Sequence, residues 1–422
     1  MPSLDAADRQ ALAKALNSAI PTGDTLEEFV GMQFGILIDQ ITEPKPVGVM
    51  ILRVIRWSES QGKVAELLQA ALESFSGNQT VSGTLPPLLE KLRNGEAPSA
   101  ADRTRIQQTE ALDLGQLTAN LADLVHVLQQ LAPTADANMA RQALEAGARA
   151  VGKVKEHGGT KDLTEDERTG LDTILFATSR PALLVQNGDF STPPEQWRML
   201  IEHRAALQRA IAATGRMEMP NHVFPWVGTG FLAAPNVVAT ASYVGTVAAK
   251  RESGKWVLNR KIGARINFLQ EFGATGSQTF TLKSVIGADD KLGIMLFEVS
   301  GKGLPAPIPL AGPAQPPPGQ AVCLVGYPAE DARRPDDFMR AVLGNIYGVK
   351  RLCPGKVMRV DDEAVVEHDC SSSSGTGGGP VVDTTSGEVL GVHYSARYLE
   401  AGYARRLALL KGTKLARTAG LF

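Results

Sequence analysis

The sequence predicts a multidomain chain, with an all-α N-terminal domain and a helical connector followed by an all-β C-terminal domain. Apolar residues recur at helical spacing through residues 1–92, and amphipathic helical stretches follow. From Met217 onward, short apolar strands alternate with Gly, Pro and Asn, which is typical of an antiparallel β-barrel domain. We therefore expect a helical domain at 1–92, a connector at 93–165, a helical leader at 166–216 and a barrel domain at 217–422.

Bulk composition narrows the class of protein. The chain has 422 residues, enough for two or three domains, and a net charge of −2 without a long run of like charge, which argues against nucleic acid as a partner. No apolar run reaches membrane-spanning length, and the first residues lack a secretory signal pattern. Three cysteines, an odd number, indicate reduced thiols. We expect a cytoplasmic, prokaryotic protein with no membrane partner.

The N-terminal domain is predicted from helix periods and helix ends. Leu12, Leu16 and Ile20 recur at helical spacing. A later helix ends at Gly62, and the next one, Val64–Phe75, ends before a Ser-Gly-Asn turn. We find no polar constellation among these helices. The pattern therefore predicts a bundle used for contacts and not for catalysis.

Three stretches of this domain resemble a known module. They are Leu26-Glu-Glu-Phe29, the helix Ile51–Gly62, and the helix Lys63–Phe75 with its following turn. Together they resemble the bacterial effector-associated domain, a death-like helical module of prokaryotic conflict systems. The resemblance implies homotypic docking, in which another protein carrying a similar module recruits this chain.

The connector and leader are predicted to be mostly helical. Leu112–Leu131 and Ala135–Lys155 are amphipathic and would form a hairpin around Pro133, and a further helix is expected to start near Thr164. The leader then predicts a short strand before residue 186, followed by two helices. An amphipathic pattern does not say what the helices pack against. A rigid spacer and a helical layer packed on its neighbours both remain open.

The C-terminal domain carries six segments whose order resembles that of the trypsin-like serine proteases. The most specific is the loop Gly375-Thr-Gly-Gly-Gly-Pro380, which has the spacing of the Gly-Asp-Ser-Gly-Gly-Pro loop of that family. The other five, in chain order, are Val227–Leu232, Pro235–Val244, Lys291–Val299, Cys323–Pro328 and Val349–Gly355. The resemblance implies a double β-barrel over the last 200 residues or so.

The same resemblance places the catalytic triad on residues that lack its chemistry. The nucleophile position falls on Gly377, the base position on Tyr243, and the acid position on Gly293. Glycine has no attacking atom, and a tyrosine with an unperturbed pKa of about 10 is a poor general base. We therefore expect no catalytic residue. The amides of Gly375 and Gly377 would still form an oxyanion-like nest, which suits binding a peptide in the old substrate cleft without cutting it.

Two alternatives stay open at this stage. A serine protease with a displaced catalytic set would use hydroxyls and rings near the loop in sequence, Ser371, Ser374, His368 and His393. Its acid would be Asp290, provided that the alignment of the following strand contains a gap. Alternatively, the chain is the substrate of a partner protease that cuts its Gly/Pro-rich connectors. No metal-chelating spacing and no phosphate-binding loop occur, so no metal or cofactor is expected. The leading hypothesis is a non-catalytic trypsin-like adaptor in a bacterial conflict or immune pathway, recruited through its N-terminal domain.

Overall fold

The computed structural model describes residues 4, 6–36, 38, 41–43, 45–95, 100–331, 336–361, 364–397 and 399–422. The chain divides into two compact units, Met1–Ser99 and Ala100–Phe422. Across the described ranges, every helix is too short or too polar to cross a bilayer.

The first unit is helical, as predicted. Its helices are α1 (Ala6–Ala19), α2 (Gly23–Phe34), α3 (Val47–Ser60), α4 (Val64–Ser74) and α5 (Gln79–Gly95). Apolar side chains from all five helices share one core, with Leu16, Leu26 and Ile51 fully buried. The backbone turns after α2 and α3 at Gly35 and Gly62, both with positive φ, where glycine is favoured.

The second unit begins with a helical layer. Its helices are α6 (Ala100–Glu110), α7 (Leu114–Ala119), α8 (Leu121–Leu131), α9 (Ala137–His157) and α10 (Glu165–Thr178). Thr164 caps α10 through a capping box with Glu167, so the predicted helix start is confirmed. The amphipathic stretch predicted over 112–131 is divided at Asn120 into α7 and α8.

A short leader joins this layer to the barrels. It consists of β1 (Leu183–Gln186), β2 (Asp189–Phe190), α11 (Met199–Glu202) and α12 (Arg204–Ala213). β1 pairs antiparallel with β12 (Arg351–Asp361), a strand of the C-terminal sheet. The fully buried Arg351 guanidinium donates to the carbonyls of Leu131, at the end of α8, and Ala182 at 2.7 and 2.9 Å. The connector helices, the leader and the barrels therefore share one hydrophobic core.

The first barrel follows directly. Its segment contains β3 (Thr214–Glu218), β4 (Trp226–Ala234), β5 (Val237–Ala241), α13 (Ser242–Ala248), β6 (Ala249–Glu252), β7 (Lys255–Leu258), β8 (Arg265–Asn267), β9 (Thr279–Asp289) and β10 (Ile294–Val299). Six of these strands close in the order β10-β5-β4-β3-β8-β9, and β6 and β7 form a separate hairpin. The strand predicted to run to Val244 ends at Ala241, because its pairing with β10 stops there and α13 begins.

The second barrel has the same strand count. Besides β12 it contains β11 (Ala321–Gly326), α14 (Asp336–Leu343), β13 (Val365–His368), β14 (Pro380–Asp383), β15 (Val389–Arg397), β16 (Ala401–Arg406) and the terminal α15 (Lys414–Ala419). The strands run in the order β11-β14-β15-β16-β13-β12, and the β11–β12 pairing closes the ring. The predicted double barrel is therefore confirmed. The three cysteines are buried free thiols.

Candidate functional site

The glycine loop lies between β13 and β14 and has a backbone that only glycine accommodates at two positions. Gly375 and Gly378 both have φ of +87°. A Cβ added at Gly375 would lie 2.7 Å from the Trp226 ring, and one added at Gly378 would overlap the Thr229 carbonyl and the Thr240 hydroxyl. The loop therefore packs directly against the strands of the first barrel.

Hydrogen bonds to loop backbone groups hold this loop to both barrels. The Thr229 amide donates to the Gly377 carbonyl at 2.9 Å, and the Thr229 hydroxyl donates to the Gly375 carbonyl at 2.8 Å. On the other side, the Gly378 amide donates to the carbonyl of His393 at 2.7 Å. Because both carbonyls and the Gly378 amide are occupied, the loop is anchored at three points.

Tyr243 meets this loop at Gly377. A Cβ added at Gly377 would overlap the Tyr243 hydroxyl and would lie 2.7 Å from its Cζ. Although 55% of Tyr243 is exposed, loss of water around its phenol raises the pKa of Tyr243 above the usual value for tyrosine. The phenol therefore stays protonated at neutral pH, and its oxygen fills the space that a side chain at 377 would take.

Gly293 is joined to the residue before Tyr243. The amide of that residue, Ser242, donates to the Gly293 carbonyl at 2.7 Å. Gly293 has φ of +61°, and a Cβ added there would meet none of the described atoms within 4 Å. Of the three positions predicted to correspond to the triad, Tyr243 and Gly377 are thus in direct contact, and Gly293 is linked to them through the backbone of Ser242.

Two amides of the loop have no acceptor among the residues that the structure describes. Within the described part of the chain, the amides of Gly375 and Gly377 donate to no group, and the Tyr243 hydroxyl also has no hydrogen-bond partner. These are the two residues that the sequence predicts for an oxyanion-like nest. Around Gly377 the site therefore offers hydrogen-bond donors without offering a nucleophile at that position.

The serines before the loop lie on its other face. The Ser371 hydroxyl donates to the Arg180 carbonyl at 2.5 Å, which ties the loop to the leader. Ser371–Ser373 line a small cavity together with side chains from α10 and α14, among them Phe176 and Val342. Ser374 is exposed, and its carbonyl accepts from Ala329 at 2.6 Å. Ser371 is thus occupied by a structural hydrogen bond.

The two histidines proposed for a displaced catalytic set form a buried pair. His368 on β13 and His393 on β15 lie 3.2 Å apart between Nε2 and Nδ1. Neither ring makes another side-chain hydrogen bond within the described residues, and Nδ1 of His368 has no partner. The structure therefore brings these two predicted residues together but places no hydroxyl on either of them.

Asp290 lies apart from that pair. It is exposed in the turn between β9 and β10, where its carboxylate accepts from the Arg251 guanidinium at 2.6 Å. The neighbouring Asp289 carboxylate accepts from the amides of Lys291 and Leu292 at 3.1 and 2.9 Å. Both carboxylates thus accept hydrogen bonds that stabilise the turn preceding Gly293.

The histidine pair makes the stability of this unit pH-dependent. Burial lowers the pKa of His393 to about 4, and burial with the neighbouring charges of His393 and Arg180 lowers the pKa of His368 well below its usual value. An unfolded histidine takes up a proton below about pH 6.5. Between about pH 6.5 and pH 4 the unfolded chain therefore binds more protons than the folded chain, and stability is lost as the pH falls.

We expect the variant His393→Gln to flatten this dependence, because glutamine keeps hydrogen-bonding capacity but does not titrate. Between pH 7.5 and pH 5 it should lose about 2 kcal/mol less of its free energy of unfolding than the native chain does. Urea unfolding at the two pH values, followed by tryptophan fluorescence, measures the difference. Equal losses in the two proteins would contradict the assignment of His393 as a buried, neutral ring.

Two features of the site were not found from the sequence. Trp226 supports Gly375 with its ring, and the Arg216 guanidinium in turn stacks over Trp226, 5.6 Å from the ring centroid. The Ser242 hydroxyl is buried beside Gly293 and has no partner among the described residues. The only sequence signal for the first was an aromatic residue immediately before the predicted segment Val227–Leu232.

The double barrel, with a glycine loop set between its two halves, has the architecture of a trypsin-like domain. A family model described as "Trypsin-like peptidase domain" matches residues 228–392. A second, described as "Effector-associated domain 1", matches residues 2–85. The chain therefore carries an effector-associated domain followed by a trypsin-like peptidase domain.

Solved structures similar to this chain include two bacterial proteins. One is the serine endoprotease from Yersinia pestis, with 17% identity over 51% of this chain and 66% of that chain and a TM-score of 0.36. Another is an inactive form of Rv3671c from Mycobacterium tuberculosis H37Rv, with 20% identity over 51% of this chain and 90% of that chain and a TM-score of 0.34. The chain thus spans just under two thirds of the Yersinia protein. No curated protein matches it.

Proposed function

We propose that this chain is a non-catalytic trypsin-like adaptor, recruited through its effector-associated domain to a partner in a bacterial conflict or immune pathway. The observation that supports this most strongly is the position of the Tyr243 hydroxyl, which occupies the space where a nucleophile carried by residue 377 would begin. A protease of this family needs an attacking oxygen at that place and a base beside it.

The chemistry of the three positions also favours a binding role. Gly377 has no attacking atom, and Tyr243, whose pKa is raised, does not accept a proton at neutral pH. Gly293 has no carboxylate to orient a base. Removing a triad of this type lowers kcat by about 10⁶-fold, and what remains comes from oxyanion stabilisation and substrate binding. Loss at all three positions leaves a domain suited to holding a peptide.

The effector-associated domain supplies the recruitment half of the proposal. Its five helices have a core of their own, and polar and charged residues such as Glu27 and Glu28 remain on the surface. Another protein with a similar module is the expected partner, and the cytoplasm is the expected compartment. The second unit would then be carried to that partner, where its former substrate cleft binds a peptide.

We expect co-purification to separate recruitment from chance association. The full chain should bind a protein that carries an effector-associated domain and is encoded near it, while the chain beginning at residue 100 should not. The truncated chain keeps the complete second unit and so serves as the matched control. Equal binding by both chains, or no binding by the full chain to any such protein, would contradict the adaptor role.

The displaced-protease alternative has less structural support. It requires a serine hydroxyl within hydrogen-bond reach of a histidine ring, whereas His368 and His393 are paired with each other. In the remaining alternative, a partner protease cuts this chain. Limited proteolysis with the partner present would then release one unit intact, an outcome that the adaptor role does not require.

A further inference from the structure

The turn between β3 and β4 holds two apolar side chains out in the solvent. Val223 is 81% exposed and Phe224 is 63% exposed. The turn is closed by the Met219 amide, which donates to the Pro225 carbonyl at 2.8 Å. Within it, the Phe224 amide donates to Nδ1 of His222 at 3.1 Å. An ordered turn therefore presents both side chains, which we call the apolar tip, and exposed apolar groups of this kind mark binding surfaces.

A cluster of cations adjoins the apolar tip. Residues 242–265 carry one carboxylate and six basic side chains, although the whole chain has a net charge of −2. The six are Lys250, Arg251, Lys255, Arg260, Lys261 and Arg265. The turn meets this segment at Asn221, whose amide donates to the Ile262 carbonyl at 3.2 Å and whose side chain donates to the Lys261 carbonyl at 3.0 Å. The apolar tip and the cations thus lie at the same end of the first barrel, where Glu218 pairs with both Trp226 and Arg265.

The carboxylates around this cluster do not neutralise it. Three of the cations have ion pairs: Lys250 with Glu252, Arg251 with Asp290, and Arg265 with Glu218. Glu218 is also shared with Arg216. The other three, Lys255, Arg260 and Lys261, are exposed and have no anionic partner among the residues that the structure describes. The surface beside the apolar tip therefore keeps a positive charge.

We propose that this surface binds an anionic lipid bilayer, with Val223 and Phe224 entering the bilayer interface and the cations lying near phosphate headgroups. Binding of this kind strengthens with the apolar area buried and with the attraction of basic side chains to anionic lipids. It adds a membrane surface to the recruitment role proposed above. The sequence led us to expect no membrane partner because no apolar run is long enough to span a bilayer, but a surface contact needs no such run.

A bilayer fits this surface better than an acidic protein or a nucleic acid does. The apolar side chains project from a turn, so a protein would have to bring a pocket of its own to receive them. A nucleic acid would use the cations through its phosphates but would leave Val223 and Phe224 in water. An apolar phase beneath an anionic layer uses both features together.

Cosedimentation of the full chain with vesicles tests the proposal. Vesicles of equal parts phosphatidylcholine and phosphatidylglycerol should bind the chain about tenfold or more tightly than vesicles of phosphatidylcholine alone. Val223→Ser/Phe224→Ser should weaken binding to the anionic vesicles about tenfold or more, because it removes the groups that enter the interface. Arg260→Gln/Lys261→Gln should also weaken it about tenfold or more, and added salt should weaken binding of the native chain.

Two double variants are the matched controls. Ile201→Ser/Met358→Ser removes apolar side chains that are 45% and 41% exposed and lie outside the first barrel. Lys302→Gln/Lys411→Gln removes two exposed lysines from outside the cluster. Both controls should bind the anionic vesicles as the native chain does. Equal urea midpoints for all variants would show that each one folds.

Each outcome decides the proposal. Binding that requires phosphatidylglycerol, weakens in both the tip and the charge variants and is unchanged in the controls supports it. No binding, equal binding to neutral vesicles, or unchanged binding by the tip variant would overturn it. A chain that bound polyglutamate or duplex DNA but no vesicles would overturn it in favour of an acidic protein or a nucleic acid. None of these results depends on Gly377 or on the effector-associated domain, so failure here and failure of the adaptor role are observed separately.

Discussion

Replacing Lys350 by methionine is expected to lower the free energy of unfolding by about 3–5 kcal/mol. The Lys350 side chain is 0% exposed, and its ammonium donates to the carbonyls of Ile211 and Phe268 at 2.8 and 2.7 Å. It also lies 3.2 Å from Oε1 of Glu271, whose side chain is only 3% exposed. Methionine fills a similar volume, but it leaves the buried Glu271 carboxylate without its cation and the Phe268 carbonyl without its donor. The Glu271 carboxylate keeps the Gly188 amide, and the Ile211 carbonyl keeps the Thr214 amide.

Urea unfolding of the full chain measures this effect. Lys302→Met replaces an exposed lysine and is the matched control, with an expected change within about 0.5 kcal/mol. The double variant Lys350→Met/Glu271→Gln should recover about 1–2 kcal/mol, because the buried charge is then absent. A loss in Lys350→Met no larger than in the control would show that this ion pair does not stabilise the junction of leader and barrels.

Gly378→Ala is expected to destabilise the second unit by about 2–5 kcal/mol. The substitution places an L-residue at φ of +87°, which costs about 1–2 kcal/mol. In addition, its Cβ would overlap the Thr229 carbonyl and the Thr240 hydroxyl, and such overpacking costs about 1–3 kcal/mol more. The loop would have to leave the first barrel to relieve both.

Gly303→Ala is the control that separates these two causes. Gly303 has φ of +84°, but an added Cβ there meets nothing within 4 Å. It should therefore cost only the backbone strain, about 1–2 kcal/mol. Thermal unfolding of both variants beside the native chain gives the comparison. Equal destabilisation would mean that the packing of the glycine loop against Thr229 and Thr240 contributes little.

Much of the fold could be predicted because its signals are local. The helix periods before residue 92 and the strand segments after Met217 each reflect contacts within one element or between neighbours. What the connector packs on could not be predicted. Its amphipathic face indicates only that another element covers it. The hydrogen bond from Arg351 to the Leu131 carbonyl joins residues far apart in sequence, so no local pattern predicts it.

The residues of the candidate site were named from the sequence, but their geometry was not. The glycine loop and the segment Pro235–Val244 indicated which residues should meet. In the structure the Tyr243 hydroxyl lies against Gly377, and the Ser242 amide donates to the Gly293 carbonyl. The sequence did not predict that the phenol oxygen would fill the space at Gly377. That depends on α13 beginning at Ser242, where strand pairing ends, and this boundary has no strong propensity signal.

The restored variant Tyr243→His/Gly293→Asp/Gly377→Ser follows from this geometry. A serine at 377 needs Tyr243 replaced, since the two would overlap. A Cβ at 293 meets none of the described atoms within 4 Å, and aspartate is among the residues that tolerate φ of +61°. The three changes therefore have to be made together, and Gly377→Ser alone should give no reactive hydroxyl.

The most direct test of the non-catalytic role is intact-mass analysis after treatment with a fluorophosphonate, which labels activated serine hydroxyls. The account predicts no mass shift on the native chain and a single adduct on the restored variant, which also demonstrates that the probe reaches the site. A mass shift on the native chain would contradict the account. Peptide mapping would then locate an activated hydroxyl, with Ser371 and Ser374 as the first candidates, and the chain would have to be regarded as a serine protease.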